Sequence, residues 1–123
     1  MDLRLESYQI NVKDYQKAAK WYSRVLGLRL INVDVNNKYV VMMLGESRVI
    51  IETPTSKWGL GWEKSEIGKR MPFILTTSNL DKTIAELKTM KVKIVEEPSM
   101  RSWGAKKAVI ADPDANQINI EER

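Results

Sequence analysis

The chain of 123 residues contains no histidine and no cysteine. It therefore has no imidazole base, no thiolate nucleophile and no ligands for a structural zinc site, because such sites are built from cysteine sulfur and histidine nitrogen. Histidine-dependent triads and iron sites with two histidines and one carboxylate are excluded for the same reason. Any catalysis has to use carboxylates, lysine, tyrosine or a bound cofactor.

Long apolar segments are also missing from the sequence. No apolar run approaches the length of a bilayer crossing, and Met1 is followed by charged residues at Asp2, Arg4 and Glu6. We therefore expect a soluble, cytoplasmic protein with no membrane partner. With 43% hydrophobic residues, residues 1–123 are enough for a single domain with a core.

The charged residues are dispersed along the chain. The formal net charge is +4, from 20 basic and 16 acidic residues. The densest basic groups, residues 64–70 and 101–107, are interrupted by Glu, Gly or Trp, and no aromatic RNA-binding signature accompanies them. This pattern indicates a solvated surface and no nucleic-acid partner.

The first half of the chain has the pattern of a strand, a helix and three further strands. Hydrophobic residues alternate over residues 4–12, and a helical spacing follows from Asp14, a suitable N-cap, to Gly27. Strands are predicted at residues 28–35, 39–44 and 48–52. An Asn36-Asn37 turn with positive φ and a Gly45-Glu46 turn are expected to join them.

The second half repeats this order after residues 54–70, a glycine-rich stretch that predicts a linker or lid. A strand at 73–77, a helix capped by Ser78 or Asn79, and strands at 92–95, 105–111 and 117–121 are expected. Residues 96–102 and 112–116 are rich in turn formers. The halves therefore predict two βαβββ modules, at residues 3–53 and 71–123, on the order of elements rather than on matching residues.

Three segments carry a resemblance to a known family. They are VKDYQKAAKWYSRVLGL from Val12, VIIE ending at Glu52, and the WG at Trp103 with DPDANQI from Asp112. Together they resemble the vicinal oxygen chelate superfamily, which includes glyoxalase I, bleomycin-resistance proteins and extradiol dioxygenases. The resemblance implies an α+β fold with mixed, curved sheets, helices outside, and a homodimer with ligand cavities between modules.

One residue departs from the family pattern in the last segment. Ala115 stands where the family usually has glycine, and a positive φ would cost an alanine roughly 1 kcal/mol. The sequence therefore predicts a slightly different turn at this point.

The metal ligands of the family are mostly replaced in this chain. Carried over by position, its two histidines fall on Ser7 and Pro72, and its two glutamates fall on Glu52 and Asn119. Proline has no side-chain donor, and serine and asparagine are uncharged. A dedicated transition-metal site is therefore not expected, and no cofactor is predicted.

The vacated cavity is expected to be lined by hydrogen-bonding groups. Strand alternation directs one set of side chains to the same face as the lost metal ligands. In this set Glu52 is the charged residue, and it is placed to bind a cation or to accept a proton. The alternative is an ordinary ion pair between Glu52 and a Lys or Arg at a strand end. The predicted ligand-binding set is Ser7, Gln9, Asn11, Glu52, Gln117 and Asn119.

Three tryptophans complete the predicted ligand-binding set. Trp58 and Trp62 lie in the glycine-rich stretch, and Trp103 borders the loop before the strand predicted at residues 105–111. Such residues commonly form stacking walls for planar ligands, although packing is the alternative reading for each.

The first hypothesis for function is a metal-free binding protein for a small polar or planar molecule, resembling the bleomycin-resistance type and suited to sequester an antibiotic or toxin. The second is a metal-independent isomerase, epimerase or lyase with Glu52 as general base. The third is a non-catalytic regulatory or interaction dimer. Fold alone does not separate these three.

Overall fold

The computed structural model describes residues 1–55 and 67–123. The chain forms two compact units, Met1–Ile67 and Gly68–Arg123. Within the described residues, each unit runs strand, helix and three strands, and its four strands form one mixed sheet. The predicted α+β fold of two βαβββ modules is confirmed.

The first unit contains β1 (Tyr8–Asn11), α1 (Tyr15–Leu26), β2 (Arg29–Asp34), β3 (Tyr39–Leu44) and β4 (Ser47–Glu52). The strands lie in the order β1-β4-β3-β2, with β1 parallel to β4 and the other pairs antiparallel. The first strand of the unit therefore lies beside its last, and β2 forms an edge.

The second unit contains β5 (Arg70–Thr77), α2 (Leu80–Thr89), β6 (Lys93–Met100), β7 (Lys106–Ala111) and β8 (Gln117–Glu122). Its order is β5-β8-β7-β6, again with the first and last strands parallel and side by side. Among the described residues neither helix is long and apolar enough to cross a membrane.

The helix boundaries follow from their caps. The Asp14 carboxylate accepts hydrogen bonds from the backbone N–H groups of Gln16 and Lys17 at 3.0 and 3.1 Å, and Gly27 ends α1 with φ of 75°. Asn79 rather than Ser78 caps α2, because its side-chain oxygen accepts from the Lys82 N–H at 3.0 Å. These bonds satisfy N–H groups that have no partner inside the helix.

Two loops differ from their predicted form. The β2–β3 connection contains four residues, and its positive φ of 58° falls on Lys38 rather than on an asparagine. The sequence pattern missed the role of Asp34, whose side chain accepts from both the backbone and the side chain of Asn37 at 2.9 and 3.0 Å. This local bonding sets the turn and holds the pKa of Asp34 below its usual value.

The prediction of a turn from residue 96 was wrong, because β6 continues to Met100. Register shifts between Ile94 and Glu96 and between Glu96 and Ser99 interrupt its pairing with β7. Pro98 is accommodated there, since an edge strand with local irregularities tolerates a residue that lacks an N–H.

The turn between β7 and β8 is built on two buried polar residues. Asp112 is 5% exposed and Asn116 is fully buried, and the Asn116 amide donates to the Asp112 carboxylate at 2.9 Å. The Asn116 side-chain oxygen accepts from the N–H groups of Gly68 and Lys69 at 2.8 and 3.3 Å, which ties the turn to the start of β5. Ala115 has a φ of 66°, so the turn keeps the left-handed residue and the predicted change of turn is wrong.

Candidate functional site

One face of the first sheet carries the predicted polar residues of that unit. In the parallel ladder, Gln9 lies opposite Ile50 and Asn11 lies opposite Glu52. The intervening Ile10 and Ile51 are 1% and 0% exposed on the other face. Strand alternation therefore brings Gln9, Asn11 and Glu52 together on one surface, as the sequence predicted for these side chains.

Glu52 is the most unusual group on this surface. It is 4% exposed, and within the described residues its carboxylate forms no hydrogen bond or ion pair. Removal from water raises the pKa of Glu52 above its ordinary value. The alternative of an ion pair with a Lys or Arg at the strand end is therefore not seen in the described part of the chain.

The neighbours of Glu52 in β1 are neutral. The Gln9 amide donates to the Asn11 side-chain oxygen at 3.2 Å; Gln9 is exposed and Asn11 is half-buried. Ser7 comes immediately before β1 and is also half-buried. These side chains offer hydrogen-bond donors and acceptors without adding charge.

A polar row extends beyond the residues that the sequence indicated. Tyr39 lies opposite Glu52 in the β3–β4 ladder, and Asp34 lies opposite Tyr39 in the β2–β3 ladder. Asn11, Glu52, Tyr39 and Asp34 thus occupy neighbouring positions on four adjacent strands. The two-residue Gly45-Glu46 turn fixes the Tyr39–Glu52 register, so the sequence contained a signal for this pairing.

Two carboxylates at different positions in this row have opposite shifts in pKa. Hydrogen bonds from Asn37 lower the pKa of Asp34, and a bond with Tyr39 adds to this effect. Burial alone raises the pKa of Glu52. The face therefore holds one carboxylate that stays charged and one that takes up a proton more readily.

In the second unit, Gln117, Asn119 and Glu121 share one face of β8. Glu122 points to the other face, where its carboxylate accepts from the backbone N–H of Leu80 at the start of α2 at 2.9 Å. Asn119 is 9% exposed, and its side-chain oxygen has no hydrogen-bond partner in the described residues. Glu121 is 5% exposed and pairs with Arg123 at 2.7 Å, so its charge is compensated.

The remaining predicted site residues have different positions. Gln117 is half-buried, whereas Pro72 is exposed in the irregular part of the β5–β8 ladder. Trp103 is 66% exposed in the turn before β7, so most of its ring faces solvent. Trp58 and Trp62 lie outside the residues that the structure describes.

The residues at the predicted ligand positions do not suit a transition metal. Pro72 has no donor atom in its side chain, Ser7 and Asn119 are neutral, and Glu52 supplies the one negative charge. Across residues 1–55 and 67–123, no group of three or more acidic side chains is arranged to hold a metal ion.

Comparison with known proteins finds sequence similarity over nearly the whole chain. Residues 4–120 match the family model for the Glyoxalase/Bleomycin resistance protein/Dioxygenase superfamily. The uncharacterized protein YraH of Bacillus subtilis strain 168 is 27% identical over 124 residues, covering 96% of this chain and 97% of YraH.

Solved structures share the fold. A superfamily member from Sphaerobacter thermophilus superposes with a TM-score of 0.82 at 24% identity, covering 99% of this chain and 98% of that one. TnmS3, an antibiotic binding protein from a Streptomyces strain, superposes with a TM-score of 0.76 at 20% identity, covering 98% and 96% of the two chains. At these identities the likeness establishes the fold alone.

Proposed function

Because the chain belongs to the Glyoxalase/Bleomycin resistance protein/Dioxygenase superfamily, we propose that it is a metal-independent member that binds a small polar or planar molecule. The observation that carries this proposal is the buried carboxylate of Glu52, which has no partner among the described residues. A carboxylate that is largely removed from water and has no hydrogen-bond or ion-pair partner is destabilising when it is charged. A ligand that donates a hydrogen bond or carries a cation would remove that destabilisation.

The neighbouring groups suggest how such a ligand is oriented. Asn11 lies beside Glu52 in the ladder, and Gln9 precedes it on the same face. A polar ligand with an N–H or O–H group facing Glu52 would find amide donors and acceptors within one strand spacing. The unpartnered oxygen of Asn119 gives the second unit a hydrogen-bond acceptor of its own.

The relatives support binding as the function. TnmS3 is an antibiotic binding protein of the same fold, and by analogy with it we propose that this chain sequesters an antibiotic or toxin. In addition, we propose that the protein is cytoplasmic and that it forms a homodimer; the family resemblance implies the dimer. The basic net charge of +4 disfavours a strongly cationic ligand, so a neutral ligand that donates a hydrogen bond to Glu52 fits best.

A second candidate is metal-independent isomerisation, epimerisation or elimination with Glu52 as the general base. The raised pKa of Glu52 favours this role, because a base with a pKa nearer neutral pH transfers protons more effectively. Tyr39 occupies the adjacent strand position, where its hydroxyl contributes to the lowered pKa of Asp34. Among the described residues of the first unit, Glu52 is therefore not matched by a second proton-transfer group on the neighbouring strand, which favours binding over catalysis.

A ligand screen on matched variants tests the proposal. Thermal shift and tryptophan fluorescence would be recorded with planar antibiotics and aromatic acids, using the wild type, Glu52→Gln and Glu46→Gln. Glu46 is exposed in the β3–β4 turn and serves as the control for loss of a carboxylate. A compound that stabilises the wild type and Glu46→Gln, but stabilises Glu52→Gln much less, supports binding at Glu52.

Other outcomes of the screen would support one of the two alternative functions, the enzyme or the non-catalytic dimer. A compound that is turned over by the wild type, and that still binds Glu52→Gln without turnover, would replace the binding proposal by the enzyme. If no compound shifts stability or fluorescence, the non-catalytic interaction dimer becomes the better reading.

A further inference from the structure

A separate cavity of about 800 Å³ lies in the first unit between α1 and the outer part of the sheet. Its floor contains Val40 and Met42 of β3, which are 2% and 1% exposed, and its outer edge contains Leu30 and Val33 of β2. Leu30 pairs with Met42 and Val33 with Val40, so all four share one face. Glu52 lies on the opposite face of the same sheet.

The cavity exists because α1 leaves β2 uncovered. The buried residues of α1 are Tyr15, Ala18, Tyr22 and Val25, whereas the flank of the helix toward β2 carries the small Ala19 and Ser23. Leu30 and Val33 consequently remain 52% and 41% exposed. Cavities of roughly 300 to 1,000 Å³ are the usual size for sites that hold small organic molecules.

The rim of the cavity is positively charged. Lys20 and Arg24 lie one helical turn apart on α1, and both line the cavity. Neither forms an ion pair with any residue in the described ranges, whereas Arg48 and Lys88 pair with carboxylates at 3.0 and 2.7 Å. An apolar floor beneath two unpaired cations is complementary to a molecule with an apolar body and one anionic end.

We propose that this cavity binds a free organic acid, with its apolar body against Val40, Met42 and Leu30 and its carboxylate between Lys20 and Arg24. The guanidinium offers paired N–H donors that match a carboxylate, and the ammonium adds a second charge-assisted contact. The apolar body covers Leu30, which the fold leaves open to water. This site is independent of the proposed function at Glu52, because the two occupy opposite faces of the sheet.

An NMR titration with decanoate tests the site on the full chain. Amide shifts are expected along α1, β2 and β3, around the residues that line the cavity. The double variant K20Q/R24Q is expected to bind decanoate about tenfold more weakly, because it loses both charge-assisted contacts. The control K17Q/K82Q removes two exposed cations outside the cavity and is expected to bind like the wild type.

Two further measurements separate the parts of the proposal. Ala19→Phe fills the cavity without changing charge and is expected to reduce decanoate binding, whereas Glu52→Gln is expected to leave it unchanged. Decanol and decyltrimethylammonium, which have the same apolar chain without the negative charge, are expected to bind more weakly than decanoate. Binding that depends on the anion and on the cavity together supports the site.

Several results would overturn it. These are equal affinities of K20Q/R24Q and K17Q/K82Q, decanol binding as tightly as decanoate, or amide shifts located away from α1 and β2. Sedimentation at the NMR concentration provides the remaining check. If the wild type is a dimer that Leu30→Asp dissociates and decanoate has no effect on the amides, a second copy of the chain covers this face and the acid site is wrong.

Discussion

Glu52 lies directly opposite Asn11 in the parallel ladder between β1 and β4, on the face of the first sheet that α1 does not cover. The pairing places a buried carboxylate next to a neutral amide rather than next to a cation. This relationship makes the ionisation of Glu52 sensitive to burial and to any bound ligand, and it has a consequence for stability.

Glu52→Gln is expected to stabilise the ligand-free protein at neutral pH by about 1 kcal/mol. Burial raises the pKa of Glu52, so the folded protein holds this proton more tightly than the unfolded chain. In the wild type, the stabilising contribution of the proton on Glu52 is fully present below the ordinary Glu pKa, and it is lost as pH rises through the raised pKa. Urea unfolding across this pH range measures the effect.

The exposed Glu46 provides the control for this comparison, because Glu46→Gln makes the same chemical change in a solvated turn. We expect its stability profile to follow that of the wild type. A Glu52→Gln variant that is less stable than the wild type at neutral pH would show that the carboxylate has a stabilising partner.

Removal of metal is expected to leave the protein unchanged. The residues at the family ligand positions include a proline, a serine and an asparagine, so bound metal contributes nothing to folding under the proposal. After dialysis against a chelator, the unfolding temperature should move by less than about 1 °C, and added zinc or nickel should not raise it. Stoichiometric transition metal in protein purified without added metal would contradict this expectation.

Asn116→Ala is expected to destabilise the protein by about 2 to 4 kcal/mol. The substitution leaves the N–H groups of Gly68 and Lys69 without their acceptor and removes a donor from buried Asp112. Denaturant unfolding measures the loss. Asn37→Ala, in an exposed turn with a comparable Asn–Asp pair, should cost less than about 1 kcal/mol; similar losses at both positions would argue against a special role for the buried network.

Ala115→Gly is expected to stabilise the protein by about 0.5 to 1 kcal/mol. Ala115 is exposed and has a φ of 66°, a conformation that glycine adopts without the steric cost of a Cβ. The same substitution at Ala105, whose φ is not positive, should be neutral or destabilising because glycine adds freedom to the unfolded chain. Thermal unfolding of the two variants gives the comparison, and an Ala115→Gly variant less stable than the wild type would contradict it.

The periodic spacing of hydrophobic residues and the helix-capping residues were sufficient to predict the order of helices and strands in both units. Asp14 and Gly27 bound α1, and the alternation around Ile10 and Ile51 predicted that Gln9 and Glu52 share one face of the sheet. Here the local chemistry of the chain agrees with its tertiary packing.

The features that the sequence did not predict share a different cause. Whether a segment such as residues 96–100 pairs as a strand depends on a neighbour that is distant in sequence, and local turn residues suggested a loop instead. The absence of a partner for Glu52 among residues 1–55 and 67–123 is likewise a property of its surroundings, which a linear pattern does not contain. The cavity beside Lys20 and Arg24 arises from the position of α1 over the sheet, and no motif marks it.

The edge strand β2 has an irregularity at Ile31, where the register shifts between Leu30 and Asn32. Exposed apolar edge strands are templates for the addition of further strands and hence for aggregation. The shift at Ile31 breaks the regular spacing of hydrogen-bonding groups that an incoming strand would need. A substitution that restored a regular ladder here would therefore favour self-association into fibres, even if it left the folded unit more stable.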